Sequence, residues 1–202
     1  MSLKDNKQIK VIIFLRNHFT NDSRVLKEAQ SLGKNGYDVT VLCLRDAYLP
    51  RYEVLEHCKV IRAIKAPRTF PNLFLKLYFL LLFSAYCIFM SRKYDILHAH
   101  DLEMLPSSIL GKWISLNRKK VVYDSHEYQT EKNNTNKKTK FFICLIEKFF
   151  ISYADEVIVV SDSIGYEYKK LYSIKKPITI LNCPKYTKIK ENNKFREKYN
   201  IK

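Results

Sequence analysis

The sequence predicts an α/β protein built on a doubly wound, mostly parallel Rossmann-like sheet of about seven strands. Three observations predict it. Short apolar runs recur along the 202 residues, separated by longer segments whose apolar residues return at helical spacing, an alternation that calls for parallel strands joined by helical crossovers. The runs are apolar throughout instead of alternating with polar residues, as strands covered on both faces require. Polar clusters follow several of the runs directly, where a parallel sheet presents its carboxyl edge. A hydrophobic fraction of 47%, with 12 Phe and 14 Tyr, supplies a core and excludes disorder along the whole chain.

Residues 9–15 give the first strand and RNHFTND (16–22) a polar loop. Asp22 or Ser23 then caps a helix whose apolar positions Val25, Leu26, Ala29 and Leu32 recur at intervals of three and four, ending near Gly33 and Gly36. Strands follow at 38–44 and 58–64. After Pro71 the run LFLKLYFLLLFSAYCIFMS reads as a helix to about Arg92. Its apolar, uncharged stretch Leu77–Met90 is 14 residues, short of the ~20 needed to cross a bilayer. Three readings remain open for it: a helix buried between sheet and neighbours, a surface that dips into a membrane face, flanked by Lys76, Arg92 and Lys93, or a true span. The rhythm then becomes regular, with strands at 95–99, 120–124, 156–160 and 177–181 and helices at 102–116, 138–153 and 162–172. The polar TEKNNTNKKT (130–139) reads as a loop. Residues 1–184 make one domain by this reading, and 185–202, with little apolar periodicity, a linker.

The 36 Lys and Arg against 20 Asp and Glu leave a net charge of +16, a field suited to an anionic membrane surface, nucleic acid or a phosphorylated substrate. Nucleic acid is not expected, because the aromatic residues fall in core helices and no recognised module is present. Five cysteines without a CxxC pair read as buried free thiols in a reducing compartment, and the first residues hold no apolar stretch of signal-peptide length. The expected location is therefore cytoplasmic, with the apolar helix able to reach the inner face of the cell membrane.

Four polar groups fall at the predicted carboxyl edge: RNHFTND (16–22), HAHDLE (98–103), DSHE (124–127) and SDS (161–163), after the first, fourth, fifth and sixth of these strands. His126 has the chemistry for proton transfer or for a charged hydrogen bond to a hydroxyl or phosphate, or else tethers its loop. Asp101 accepts from a sugar hydroxyl or caps the helix that begins near Glu103. Asp124 and Glu127 orient His126 or ligand hydroxyls. His98 and His100 share one side of a strand and, with Asp101 and His126, suggest a metal site, but no further ligand arrives at familiar spacing and no metal is expected. The first loop contains no glycine, which excludes both the dinucleotide turn and the P-loop there. With 4 Gly in the chain, a backbone cradle for phosphate is thinly supplied.

Taken in order, NDSRVLKEAQSLGKNGYDVTVLC (21–43), YDILHAHDLEMLP (94–106), VVYDSHE (121–127), IEKFFISYADEVIVVSDSI (146–164) and ITILNCP (178–184) resemble the N-terminal lobe of the retaining GT-B glycosyltransferases, family 4-like. The resemblance implies a lobe that binds the acceptor, a second lobe that grips a nucleotide-sugar donor, and transfer in the cleft between them. It implies that His126 is the catalytic contact to the donor sugar near its anomeric centre. By the same likeness His100 and Asp101 line the acceptor side, and the loop Asn17–Asp22 closes over the cleft. Ser161 and Asp162 stand at a strand exit in support, and Asn182–Pro184 mark the crossover to the second lobe. The first loop departs from the glycine-rich form and resembles a subgroup with N-D-x-R. The second lobe's basic pair and spaced glutamates have no place in the sequence, and NKFREKYNIK resembles the helix that precedes that lobe.

The resemblance therefore implies a truncated or split enzyme, inactive alone, whose partner is a separate C-terminal donor-binding chain. It holds no permanent cofactor, its donor is a nucleotide sugar, and its acceptor is a glycan or a lipid-linked molecule of cell-envelope polysaccharide assembly. The alternative is a non-catalytic scaffold seated on a membrane surface through residues 73–91.

Overall fold

The computed structural model describes residues 8–66, 69, 71–126, 137–183 and 198–199. Glu127, Pro184 and most of the predicted linker lie outside the described residues, as does the loop over 130–136. The last three residues of that predicted loop instead open a helix.

The elements in chain order are β1 (Lys10–Phe14), α1 (Ser23–Lys34), β2 (Asp38–Arg45), β3 (Tyr52–Leu55), β4 (Cys58–Lys65), α2 (Leu73–Ser91), β5 (Ile96–His100), α3 (Leu105–Ile114), β6 (Lys120–Ser125), α4 (Lys137–Ile151), β7 (Glu156–Val159), α5 (Asp162–Tyr172) and β8 (Ile178–Thr179). They form an 8-stranded sheet in the order β3-β4-β2-β1-β5-β6-β7-β8. Every pairing is parallel except β3 with β4. The additional strand, β3, is an edge strand turning into β4 through His57 at a φ of 64°. Its residues are only partly buried, so it carries no continuous apolar run to mark it in the sequence.

Alternate residues of the central strands feed two cores. Val11 and Ile13 of β1 pack with Val25 and Ala29 of α1 on one face. Ile12 and Phe14 pack on the other with residues of α2 through α5, among them Phe83, Leu105, Ile151 and Tyr168. Asp22 caps α1, its Oδ1 accepting from the Val25 amide at 3.1 Å, and Gly36, at a φ of 89°, turns the chain out of the helix. Gly33 lies so close to the β3–β4 turn that an added Cβ would stand 1.9 Å from the His57 carbonyl oxygen.

On the face shared by α2 to α5, one carboxylate lies inside the apolar layer. Glu147 of α4 has no exposed surface and accepts from the hydroxyls of Tyr123 at 2.7 Å, Tyr168 at 2.9 Å and Tyr172 at 2.7 Å, which joins β6, α4 and α5 through one residue. Glu147→Ala removes the acceptor these hydroxyls share, leaving Tyr168 its contact with Ser125 Oγ at 2.6 Å, and opens a cavity, at a cost of about 1–3 kcal/mol for each group left without a partner. The expected result is a large drop in the urea midpoint. A midpoint within error of the wild type would show that the three hydroxyls find other partners.

Candidate functional site

The sheet reverses its winding between β1 and β5: the chain leaves β1 toward β2 and β4, and leaves β5 toward β6, β7 and β8. Loops diverge at such a point and leave a crevice beyond the carboxyl ends of the strands. The 16–22 loop leaves β1 there, Asp101 follows β5 and His126 follows β6. Asn17, His18, Asp22, Arg24, His126 and Asn182 are among the residues lining a polar pocket of about 550 Å³ at this place.

The rim is built from short contacts. Asn17 Nδ2 donates to Asp22 Oδ2 at 3.0 Å, and Asn17 Oδ1 accepts from the Phe19 amide at 2.7 Å, bracing the first loop on the cap of α1. Arg16 and Glu103 form a bidentate pair that joins this loop to the one after β5. The Asp101 amide donates to the Asp124 carbonyl at 3.1 Å, and Asp101 Oδ1 lies 3.5 Å from Nδ1 of His126, whose side chain is 23% exposed. Asp101 does not cap α3: it adopts a φ of 63°, and α3 starts at Met104 without a side-chain cap. Its carboxylate is thereby left beside His126.

Beneath the rim lies a buried charge network. Arg24 forks onto Asp124, with Nε and Nη2 at 2.8 and 2.7 Å, and Nε also stands 3.1 Å from Glu28. His100 spans the two carboxylates, Nε2 at 3.1 Å from Glu28 and Nδ1 at 3.2 Å from Asp124. His98 stacks on it, ring centroids 4.6 Å apart. Burial opposes charge on His100, but its close contacts with the Asp124 and Glu28 carboxylates prevail and raise its pKa to about 9. Burial and then the His100 charge lower His98 to about 4. Burial would raise Asp124, yet His100 and Arg24 hold it well below the usual carboxylate range. One arginine and one protonated histidine thus balance two carboxylates, with His98 neutral beside them.

Glu28, His98, His100 and Asp124 bring one donor atom each to within 4.8 Å of one another. Glu28 and Asp124 are the ligands that sequence spacing did not bring to the histidine pair. A divalent cation at this place would have to displace both the Arg24 guanidinium and the His100 proton, because the charges already balance.

The structure gathers Asn17, Asp22, Asp101 and His126 at one rim and sets His100 and Asp124 beneath it. The His100 side chain has no exposed surface, so it meets an acceptor only through its neighbours. Ser161 caps α5, its Oγ accepting from the Ile164 amide at 3.3 Å, and Asp162 pairs with Lys176 at 2.8 Å and Thr179 at 2.9 Å. Neither makes a described contact with the other rim residues. Glu28 was not singled out in the sequence, and Arg24 entered only as the arginine of the N-D-x-R run. The signal was a charged pair spaced four apart on the same helix face as Val25 and Ala29, where an apolar stripe should continue.

The family model described as Glycosyltransferase Family 4 matches residues 23–184. Among solved structures, sucrose-phosphate synthase from Thermosynechococcus elongatus superposes with a TM-score of 0.60 at 16% identity, covering 96% of this chain and 53% of that one. HepE of Anabaena, solved with UDP, gives 0.60 at 15% identity, covering 95% of this chain and 50% of that one. The chain thus spans about half the length of either, and the likeness is one of fold, a single GT-B lobe. A comparison with curated proteins returned no match.

The histidine pair makes stability depend on pH. The raised value of His100 gives stability that is complete below about pH 6.5, its ordinary value, and is lost as the pH rises to about 9. The lowered value of His98 acts in the opposite sense: its contribution is present above about pH 6.5 and is lost as the pH falls toward about 4. Asp124, held low, adds to the acid loss. Thermal unfolding followed across the pH range should show a maximum near neutrality with a falling limb between about pH 6.5 and 9, and His100→Gln should flatten that limb. A limb that persists in the variant assigns it to another group.

Proposed function

The chain belongs to Glycosyltransferase Family 4, and on that basis we propose that it is the acceptor-side lobe of a retaining transferase moving sugar from a nucleotide-sugar donor to a glycan or lipid-linked acceptor. The observation that carries this reading is the placing of His126 beside Asp101 at the lip of a polar pocket on the switch point of the sheet. A histidine there supplies a hydrogen bond or a proton to a sugar hydroxyl, and Asp101, fixed by the Asp124 carbonyl, sets its orientation. Asn17 and Asp22 shape the pocket wall, His100 and Asp124 support it from below, and Ser161 and Asp162 hold the neighbouring strand exit.

In this reading the donor is gripped by a second lobe, which lies on the same polypeptide or on a separate chain. The UDP bound to HepE supports a nucleotide sugar as donor. No resident cofactor is invoked. The lobe works in the cytoplasm at the inner face of the membrane, with residues 73–91 in contact with lipid. Transfer requires both substrates to be oriented in one closed cleft, a contribution of about 7–11 kcal/mol, so residues 1–202 alone should show no transfer.

With the donor lobe supplied, His126→Ala is expected to lower kcat about 10²-fold, the effect of losing one positioned polar contact to the reacting sugar. The acceptor KM and the unfolding temperature should change little, because His126 is partly exposed and reaches the buried network only through a 3.9 Å approach to Asp124. Transfer by residues 1–202 alone would overturn the need for a second lobe. An assembled pair that binds membrane but transfers no sugar from any nucleotide-sugar tested would favour the non-catalytic scaffold.

A further inference from the structure

The helical layer over α2, α3 and α4 is apolar on both of its sides. Its inner side is the core. Its outer side carries Phe74, Leu81 and Phe89 of α2 and Phe141, Leu145 and Phe149 of α4, all exposed, with Phe74 at 86% and Phe141 at 66%. The helices form one row. α3 packs closely on α2, where a Cβ at Gly111 would stand 2.7 Å from the Ser91 hydroxyl. Trp113 of α3 meets Phe149 and Phe150 of α4 and Tyr153 just beyond it. α2 is 19 residues long with a mean hydropathy of 2.1, yet only 17% of its apolar window is buried.

The charges on this row have one sign. α2 carries Lys76 and no acid, and the described side chains of α4 include Lys140 and Lys148. Its single acid, Glu147, is the one turned inward to the three tyrosines. A second copy of the chain would bring lysine against lysine, whereas a bilayer with anionic headgroups satisfies both the apolar ridge and the lysines around it. Each helix runs back from the carboxyl edge of the sheet, so the first turns of α2 and α4, where Phe74 and Phe141 lie, stand at the same edge as His126.

We propose that α2 and α4 act together as a membrane platform, their rim-side ends inserted into an anionic bilayer so that the His126 pocket opens toward the headgroup layer. The surface is thereby wider than the contact through residues 73–91 alone. Resting on the transferase reading, it narrows the acceptor to one that is lipid-linked; the membrane contact itself stands apart from that reading.

The test uses the whole chain with vesicles of phosphatidylcholine alone or with about one third phosphatidylglycerol, and two surface variants: Phe74→Ser with Leu81→Ser and Phe89→Ser, and Phe141→Ser with Leu145→Ser and Phe149→Ser. The expected result is flotation with the anionic vesicles that persists in part at high salt, as apolar insertion requires. Each triple variant should weaken it at least tenfold while unfolding at a temperature close to the wild type. An α4 variant that floats like the wild type, or wild-type binding abolished entirely by salt, overturns the platform. So does a wild-type dimer in light scattering that the α4 variant converts to monomer, since the face is then a self-interface. None of these outcomes bears on His126, whose variant is scored by sugar transfer with a soluble analogue of the acceptor.

Discussion

The rim of this lobe depends on the buried contact between Arg24 and Asp124. The two residues are 100 positions apart in the chain, one on the first turn of α1 and the other at the end of β6, and their fork holds the helix over the crevice. Arg24 also donates to the Ile180 carbonyl at 3.1 Å, bringing the segment after β8 to the same point. Desolvating such a pair is costly, and removing one member of a buried pair typically destabilises by about 3–5 kcal/mol. The pair is tolerable here because Glu28 and His100 complete its hydrogen bonding and charge balance. Asp124 does more than receive the arginine. Its main-chain carbonyl takes the Asp101 amide and helps to hold Asp101 in the left-handed conformation that costs a non-glycine residue roughly 1–2 kcal/mol. The position of Asp101 beside His126 therefore follows from a buried charge network that His126 touches only at its margin, with Nδ1 3.9 Å from Asp124.

The two faces of the sheet divide the work. On the α1 face, polarity is concentrated at the carboxyl end of β5 and β6, where His98, His100 and Asp124 replace the aliphatic residues a covered strand would carry. On the opposite face the polar groups are mostly hydroxyls, with Ser125 at the end of β6 standing 2.6 Å from the Tyr168 hydroxyl, and the acid buried among the tyrosines is Glu147. Its inward turn has two consequences. It ties β6 to α4 and α5 through three hydroxyls, and it removes from the outer surface of α4 the one negative charge that would oppose an anionic layer.

Much of this was legible in the sequence because apolar runs and helical spacing are local signals. The βα rhythm, the Asp22 cap and the convergence of the 16–22 loop, Asp101 and His126 all follow from strand order. β3 was not legible, since an exposed edge strand has no need of an apolar run. Arg24 and Glu28 were not legible either: four apart on a helix, they have the spacing of an ordinary surface ion pair, and only the fold places them against Asp124 and the histidines. His100 shows the converse. Its alternation with His98 was visible, but which end of the strand is sealed by a helix is a tertiary fact, and it decides whether the imidazole meets solvent or a carboxylate.

The chemistry available at the pocket follows from which of its charges are already committed. Among the described residues near it, Arg24 is forked onto Asp124, Arg16 is paired with Glu103, and Lys27 donates to the Cys183 carbonyl at 2.8 Å. His18 lies with Nε2 3.3 Å from the Ala66 carbonyl oxygen. The first loop lacks the glycines that would let the backbone approach a phosphate. What faces the pocket is instead rich in neutral hydrogen-bonding groups, with Asn17, Thr20, Asn21 and Asn182 around His126. Such a lining matches hydroxyls, which need donors and acceptors in balance, better than a diphosphate, which needs positive charge. The same charge network that positions the rim thus withdraws its strongest cation from the pocket, and an acceptor-side role is the one its remaining groups are suited to perform.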